Sequence, residues 1–383
     1  MSEFAELWAE IAPIGRADSG GYLRYALTPP ELTLRDWFRA QAARRDMTVT
    51  EDGNGNLFAW RGEPWSPGTV LTGSHFDSVP HGGGYDGPLG IVSAFLAVDR
   101  LPRERKVGVA AFIEEEGGRF GVPCLGSRLL TGVIDPDRAA ALTDRDGVTF
   151  GAALGARPAG ALPEIGQLAA VIELHIEQGR ALEVPVGVGS AIWPHGRWRM
   201  DFAGVGDHAG TTRMTDRRDP MLTFAHTVLA ANKEARLAGA HATVGRVQVE
   251  PNATNAIPSL VRGWLDARAA DTATLDRLVD AVVKKATERA GRDGTELSVT
   301  RESVTGEVTF NLPLAERIAA LLGAPILPTG AGHDAGVLSA HVPTAMLFVR
   351  NPTGVSHSPA EHASDADCEA GVEALATVLE DLT

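Results

Sequence analysis

Two kinds of hydrophobic spacing alternate along the chain. Nearly continuous apolar runs lie at Thr69–Thr72, Val107–Ile113, Ala169–Leu174 and Thr344–Val349. Such runs predict strands covered on both faces, as in a parallel or mixed sheet between helices. Phe4–Ile11, Leu32–Arg45, Pro88–Leu101, Leu312–Leu322 and Asp365–Leu382 space their apolar residues as helices do. Met47–Thr50 and Leu57–Trp60, on either side of Asn54-Gly55-Asn56, predict a hairpin. The segment from Asp135 to Pro163 reads as short helices and loops. The character changes near Gly187. Beyond it, strand-like runs at Trp198–Phe202, Val244–Val249, Leu260–Ala267 and Leu297–Thr300 accompany helical runs at Pro220–Leu237 and Thr272–Ala290. Alternation in Val244–Val249 and Leu260–Ala267 predicts strands exposed on one face. The expectation is an α/β domain formed by 1–189 plus 304–383, interrupted by an inserted α+β domain at 190–303 with two helices on one antiparallel sheet.

Composition narrows the class of protein. A chain of 383 residues with 44% hydrophobic and 22% charged residues suits a soluble two-domain protein. A formal net charge of −14 argues against nucleic acid and anionic membranes as partners. It leaves substrate charge open, because a basic pocket can sit in an acidic protein. Cys124 and Cys368 form neither a disulfide framework nor a CxxC pair. The first residues carry acids and no basic, apolar leader, and no run approaches the roughly 18–20 apolar residues of a membrane span. A cytoplasmic location is expected.

Chemistry gathers where the apolar runs stop. The first leads into the glycine-rich segment GSHFDSVPHGGGYDGPLG, which holds His75, Asp77 and Asp86. The second ends in Glu114-Glu115-Glu116, and the third delivers His175 with Glu177 and Gln178 close behind. The last precedes His357 in SHSPAEH. Strand ends in α/β sheets converge on one edge, where ligands bind. Histidine and carboxylate together suit borderline divalent metals. Two cations held close together need mixed nitrogen and oxygen ligands and a carboxylate to bridge them. Such a pair polarises a carbonyl and lowers the pKa of water. A neighbouring carboxylate outside the ligand set can then carry the proton.

The motifs GSHFDSVPHGGGYDG, EEEGGRFG, ELHIEQG, GDHAGTT, PNATNAIP, Asp266-Ala267-Arg268, GAGHDA and GVSHSPAEH span nearly the whole chain in order. In them the chain resembles the dinuclear-metal amidase, hydantoinase and carbamoylase family. That family includes N-carbamoyl-L-amino-acid hydrolase, allantoate amidohydrolase and β-ureidopropionase, and is related to zinc aminopeptidases. The resemblance implies a mixed-sheet, three-layer catalytic domain of the zinc-aminopeptidase type with an inserted lid and dimerisation domain. It implies that His75 and His175 hold one metal, Glu116 and His357 the other, and that Asp86 bridges them. Glu115 would be the general base and acid, and Asp77 the acid that orients His75. Gln178, His208, Asn255 and Arg268 would contact substrate, with Asn255 and Arg268 clamping a carboxylate. His208 would reach the neighbouring subunit's active site and steady the oxyanion, which implies a homodimer through the inserted domain. Taken alone, Arg268 also fits a surface strand, and Asn255 and His208 fit turns.

The expected activity is metal-dependent hydrolysis of a linear amide or ureido C–N bond in a small carboxylate. An N-carbamoyl-L-amino acid or allantoate leads, releasing the free amine, ammonia and carbon dioxide. The cofactor would be two divalent ions, with Zn or Mn ahead of Co or Ni. Arg213 and the Arg350–Thr353 stretch depart from the family pattern. Arg350 suggests a second acid group on the substrate, as in N-formyl-L-glutamate. A di-metal aminopeptidase or dipeptidase is a rival reading, and a non-catalytic binding protein ranks last.

Overall fold

A computed structural model describes residues 2–383. It divides into two compact units: one runs to Ile192 and resumes at Thr309, and the other is Trp193–Val308.

The first unit is built on a mixed sheet. Its strands lie in the order Thr48–Glu51, Leu57–Arg61, Val107–Phe112, Val70–His75, Ala170–Ile176, Thr344–Val349 and Val186–Ile192, with Ile326–Thr329 pairing the last. The four strands from Val107–Phe112 to Thr344–Val349 are parallel neighbours. Every residue in them is buried, as their unbroken apolar character requires. Alternate side chains serve two cores. Val107, Val109, Ala111, Ile172 and Leu174 face a layer formed by helices that include Glu3–Ile11, Pro29–Arg44, Pro88–Arg100, Leu312–Leu322 and Asp365–Leu382. Leu71, Ala110, Phe112 and Val171 face Leu130, Ile165, Leu338 and Val342. The result is helix, sheet, helix. Pro88–Arg100 is the central crossover helix and is buried from Pro88 to Val98, which accounts for its apolar composition on every side.

The hairpin forms as expected, with Thr48–Glu51 antiparallel to Leu57–Arg61. Its turn is a polar clasp. Asp52 accepts from the backbone and side-chain N–H groups of both Asn54 and Asn56. Asn56 is fully buried; it donates to Gly126 O at 3.2 Å and accepts from Ile113 N at 3.1 Å. The turn thus secures the chain just after the Val107–Phe112 strand, immediately before the three glutamates.

The second unit is a four-stranded antiparallel sheet in the order Glu296–Thr305, His195–Ala203, Leu260–Arg268, His241–Glu250. Leu260–Arg268 alternates half-buried and buried positions, because its helices cover one face only. Those helices are Pro220–Ala238 and Thr272–Asp293. Asp219 and Asp271 cap their N-termini, and Gly239 and Gly294 end them in the left-handed conformation. A separate pair of two-residue strands joins Asp207–His208 to Ala256–Ile257. No helix among the described residues is long and apolar enough to cross a membrane.

Replacing Asn56 with Ala would leave Ile113 N–H and part of the Asp52 carboxylate without partners. At roughly 1–3 kcal/mol for an unsatisfied buried group, the expected loss is about 2–3 kcal/mol. Urea unfolding of the metal-free protein measures it; a change below about 0.5 kcal/mol would contradict the clasp's structural role.

Candidate metal centre

Four parallel strands end side by side, and their ends carry the site. His75 closes Val70–His75 in register with Phe112, and His175 lies in register with Phe348. The glutamates follow Phe112 within four residues, and the loop bearing His357 follows Val349. A sheet edge therefore gathers residues from sequence positions almost three hundred apart.

Both strand-end histidines have one assigned nitrogen. His75 Nδ1 lies 3.0 Å from Asp77 O, and His175 Nδ1 lies 2.8 Å from Ile176 O. A carbonyl only accepts, so each Nδ1 carries a proton, and each ring presents a lone pair at Nε2 when it is neutral. Both Nε2 atoms are buried without a hydrogen-bond partner. They converge on one oxygen of Asp86: His175 Nε2 is 3.1 Å and His75 Nε2 is 3.6 Å from Oδ1. The other oxygen faces elsewhere. Asp86 Oδ2 lies 3.4 Å from His357 Nε2, which is 3.3 Å from Glu116 Oε2. Two groups of metal-competent residues result, His75–Asp86–His175 and Asp86–Glu116–His357, each with its ligand atoms within 4.8 Å of one another, and Asp86 belongs to both. Gly87 makes this packing possible. Its φ is +87°, and a Cβ there would lie 2.5 Å from His75 Cε1.

The remaining carboxylates have distinct surroundings. Glu115 is buried, its Oε2 is 3.7 Å from His75 Nε2, and Cys124 Sγ donates to its Oε1 at 3.4 Å. The Asp77 carboxylate accepts from the backbone N–H groups of Glu115 and Glu116 at 3.1 and 3.0 Å, and lies 3.6 Å from His75 Nδ1. Asp77 thus touches the histidine through its own carbonyl and anchors the glutamate pair through its side chain. Gln178 Nε2 donates to Asp86 Oδ2 at 2.8 Å and to Ser356 Oγ at 3.1 Å.

A third group, Glu173–His175–His333, shares His175 with the first. Glu173 already accepts from Ser74 Oγ and Ala335 N, both at 2.9 Å, so its carboxylate supports the strands and the loop behind the site. Burial, then the neighbouring His175, holds His333 well below its usual value, so it is a neutral ring. His81 is exposed and pairs with Ser19 Oγ at 2.7 Å.

Electrostatics favour added positive charge at this edge. Burial would lower His75, but Glu115, Asp77 and Asp86 outweigh it and hold the imidazole well above its ordinary range. Burial would raise Asp86, yet His175 and His75 keep it well below a usual carboxylate. Glu115 and Glu116 are pushed well up by burial, with Asp86 adding to the second. Burial also raises Glu114, Asp334 and Glu361 to about 8. The unpartnered histidine nitrogens and the crowded acids fit a pair of divalent cations.

The other expected substrate residues lie in the second unit. His208 stands opposite Ala256, and Ala209 N donates to Asn255 O at 3.0 Å, so the GDHAGTT and PNATNAIP segments meet. Both His208 and Asn255 are exposed. Arg268 ends its strand, and its Nε donates to Asp266 Oδ1 at 3.0 Å. Arg213 pairs with Asp216 at 2.7 Å on the surface.

Arg350 corrects an expectation. Its guanidinium grips Asp367 through Nε and Nη2 at 3.0–3.3 Å and donates to Glu183 O at 3.1 Å. Asp367 is buried near the start of the C-terminal helix. The arginine ties a strand end to a helix, and the case for a second acid group, with N-formyl-L-glutamate, loses its motive. Two residues carry contacts that motif reading passed over. Cys124 meets Glu115, and Glu361, inside SHSPAEH, accepts from Tyr85 N and Asp86 N. The spacing of Glu361 four residues beyond His357 was the available signal.

These features make a candidate two-metal site on an α/β sheet edge. The model of peptidase family M20/M25/M40 matches residues 71–381, and the chain belongs to that family. It is 35% identical to the N-carbamoyl-L-amino acid amidohydrolase of Geobacillus stearothermophilus over 98% of this chain and 97% of that one. It is 32% identical to the allantoate amidohydrolase of Escherichia coli K12, over 96% and 95%. The crystal structure of AtUAH in complex with (S)-hydroxyglycine superposes with a TM-score of 0.88 at 29% identity, covering 99% of this chain and 96% of that one.

The raised acids make a signed prediction. Glu114, Asp334 and Glu361 hold protons up to about 8 when folded, whereas the unfolded carboxyls ionise near 3.8–4.5. Between those values the folded state binds more protons than the unfolded one, so stability falls as pH rises. His75, also raised, acts in the same direction: its contribution is full below 6.5 and fades as pH climbs through its folded value. Metal-free protein should therefore lose Tm from about pH 5 to about pH 8, and the Tm gain on adding Zn or Mn should grow over that window. A metal-induced gain that shrinks toward pH 8 would contradict this.

Proposed function

We propose that this protein is an amidohydrolase that cleaves a linear ureido or amide C–N bond in a small carboxylate, using two divalent metal ions. The reading is carried by Asp86, whose two oxygens face different histidine-containing groups beside a buried Glu115. The named relatives act on N-carbamoyl-L-amino acids and allantoate, which fits the same chemistry. An N-carbamoyl-L-amino acid or allantoate is the substrate we favour. Zn or Mn is the expected metal, with Co and Ni able to substitute.

His75 and His175 would hold one ion, Glu116 and His357 the other, with Asp86 between them. The bound pair would polarise the scissile carbonyl and bring the pKa of water toward neutrality. Glu115, outside the ligand set, would take the proton of the attacking water and deliver it to the departing nitrogen. Its place in a buried, proton-retaining environment supports that role. One water cleaves the ureido C–N bond, leaving the free amine and a carbamic acid that separates into ammonia and carbon dioxide. Arg268, its Nε oriented by Asp266, would grip the substrate carboxylate with Asn255. Gln178 would help to place the ureido group, and His208 would steady the oxyanion in a partner's site.

That last role requires a homodimer through the Trp193–Val308 unit. Leu222, Leu229 and Leu237 are 48%, 71% and 72% exposed and recur at helical spacing on Pro220–Ala238. The neighbouring His241–Glu250 is an edge strand. Both features favour a second copy as the partner. L229E combined with L237E should convert dimer to monomer in light scattering and abolish turnover while leaving metal content intact. A wild-type monomer with full activity would contradict the shared site.

A panel of N-carbamoyl-L-amino acids, β-ureidopropionate, allantoate and a dipeptide, read by mass spectrometry, tests the activity. Glu115→Gln should keep its metal and lose about 10²–10⁴-fold in kcat. Arg268→Ala should raise KM roughly ten- to a hundredfold, the value of about 1.5–3 kcal/mol for a charged hydrogen bond. Cleavage of the dipeptide alone would overturn the ureido assignment.

A further inference from the structure

We propose that Glu361 is a positioning residue of the metal centre, holding the bridging carboxylate of Asp86 in place by gripping that residue's backbone from the loop that carries His357. The inference rests on the metal-ligand reading above. Glu361 is 5% exposed, and its Oε1 accepts from two successive amides, Tyr85 N and Asp86 N, each at 3.0 Å. No helix or strand covers residues 76–87, so the hydrogen bonds of this loop must come from elsewhere. Gly83 has no side chain to keep the carboxylate away: a Cβ there would lie 2.2 Å from Glu361 Oε1. Tyr85 anchors the same segment on its other side, stacking on Trp8 at 4.7 Å and meeting His362 edge-on at 5.9 Å.

The arrangement has a mechanical consequence. Asp86 must aim one oxygen at the His75 and His175 side and the other at the His357 side. A small rotation of its peptide would misdirect both oxygens at once. His357 and Glu361 lie four residues apart, so one loop supplies a ligand to the second ion and fixes the residue shared by both. Groups that hold ligands in place typically change metal affinity by about 10–100-fold when removed.

Metal-free wild-type protein, Glu361→Gln, Glu361→Ala and Gly83→Ala would be titrated with Zn²⁺ against a chromophoric chelator. Visible spectra of the Co²⁺ forms report ligand geometry independently of activity, and Tm of the metal-free forms reports folding. Wild type should take up two ions. Gln keeps a carbonyl oxygen for both amides, so Glu361→Gln should stay within about threefold of wild type. Glu361→Ala should weaken at least one ion by about 10–100-fold and shift the Co²⁺ bands. Gly83→Ala, which pushes the carboxylate off the loop, should behave like Glu361→Ala. If Glu361→Ala does not fold, Gly83→Ala and Glu361→Gln decide the matter. Wild-type affinity and spectra in Glu361→Ala or, where that variant does not fold, in Gly83→Ala would overturn the inference and leave the proposed function standing. Equal losses in Gln and Ala would overturn it too, because charge would then matter instead of the grip. A wild-type protein that binds no ion would overturn both.

Discussion

Asp86 and Glu115 are buried, and Glu116 half-buried, around two histidines whose Nε2 atoms have no hydrogen-bond partner. Burying carboxylates costs free energy that compensating positive charge must offset. Without added cations, protons do part of that work, which is why Glu115 and Glu116 are held so far above a normal carboxylate. Two divalent ions would do it better and would release Glu115 to move protons. Much of the first unit can be understood as the means of keeping these side chains together against their repulsion.

The sheet provides the rigid part. Four buried parallel strands fix His75, the glutamates, His175 and the start of the His357 loop along one edge. Hydrogen bonds then aim what the strands only bring near. Backbone carbonyls orient His75 and His175, Asp77 secures the glutamate backbone, and Glu361 secures that of Asp86. The clasp of Asp52 with Asn54 and Asn56 braces the chain just before the glutamates. His75, His175, the glutamates and Asp86 lie on separate strands and loops, and each is held by such a support.

The parts of the fold that were legible in the sequence are those with one dominant physical cause. Long apolar runs revealed the central strands, and Leu312–Leu322, Thr344–Val349 and Asp365–Leu382 have the bounds their patterns predict. Val186–Ile192 was not legible, because its small residues and two glycines carry little strand signal; Gly189 is small so that Met346 and Phe348 can pack close. Ile326–Thr329 is short and largely exposed, which hides it too. At the site, the side chains His75, Asp86, Glu115, Glu116, His175, Gln178 and His357 were legible because their chemistry is explicit in motifs. Arg350 misled, since a lone arginine after a strand does not announce that Asp367 will claim it. Glu361 was hidden because its partners are backbone amides 275 and 276 residues away.

In the proposed function one carboxylate, Asp86, would join two ions into a single centre. Low-temperature electron paramagnetic resonance of Mn²⁺-loaded protein tests it directly, because bridged ions couple magnetically and separate ions do not. Wild type should give a coupled dinuclear signal that gives way to the pattern of isolated ions in Asp86→Ala. Isolated ions in wild type, or coupling that survives in Asp86→Ala, would contradict it.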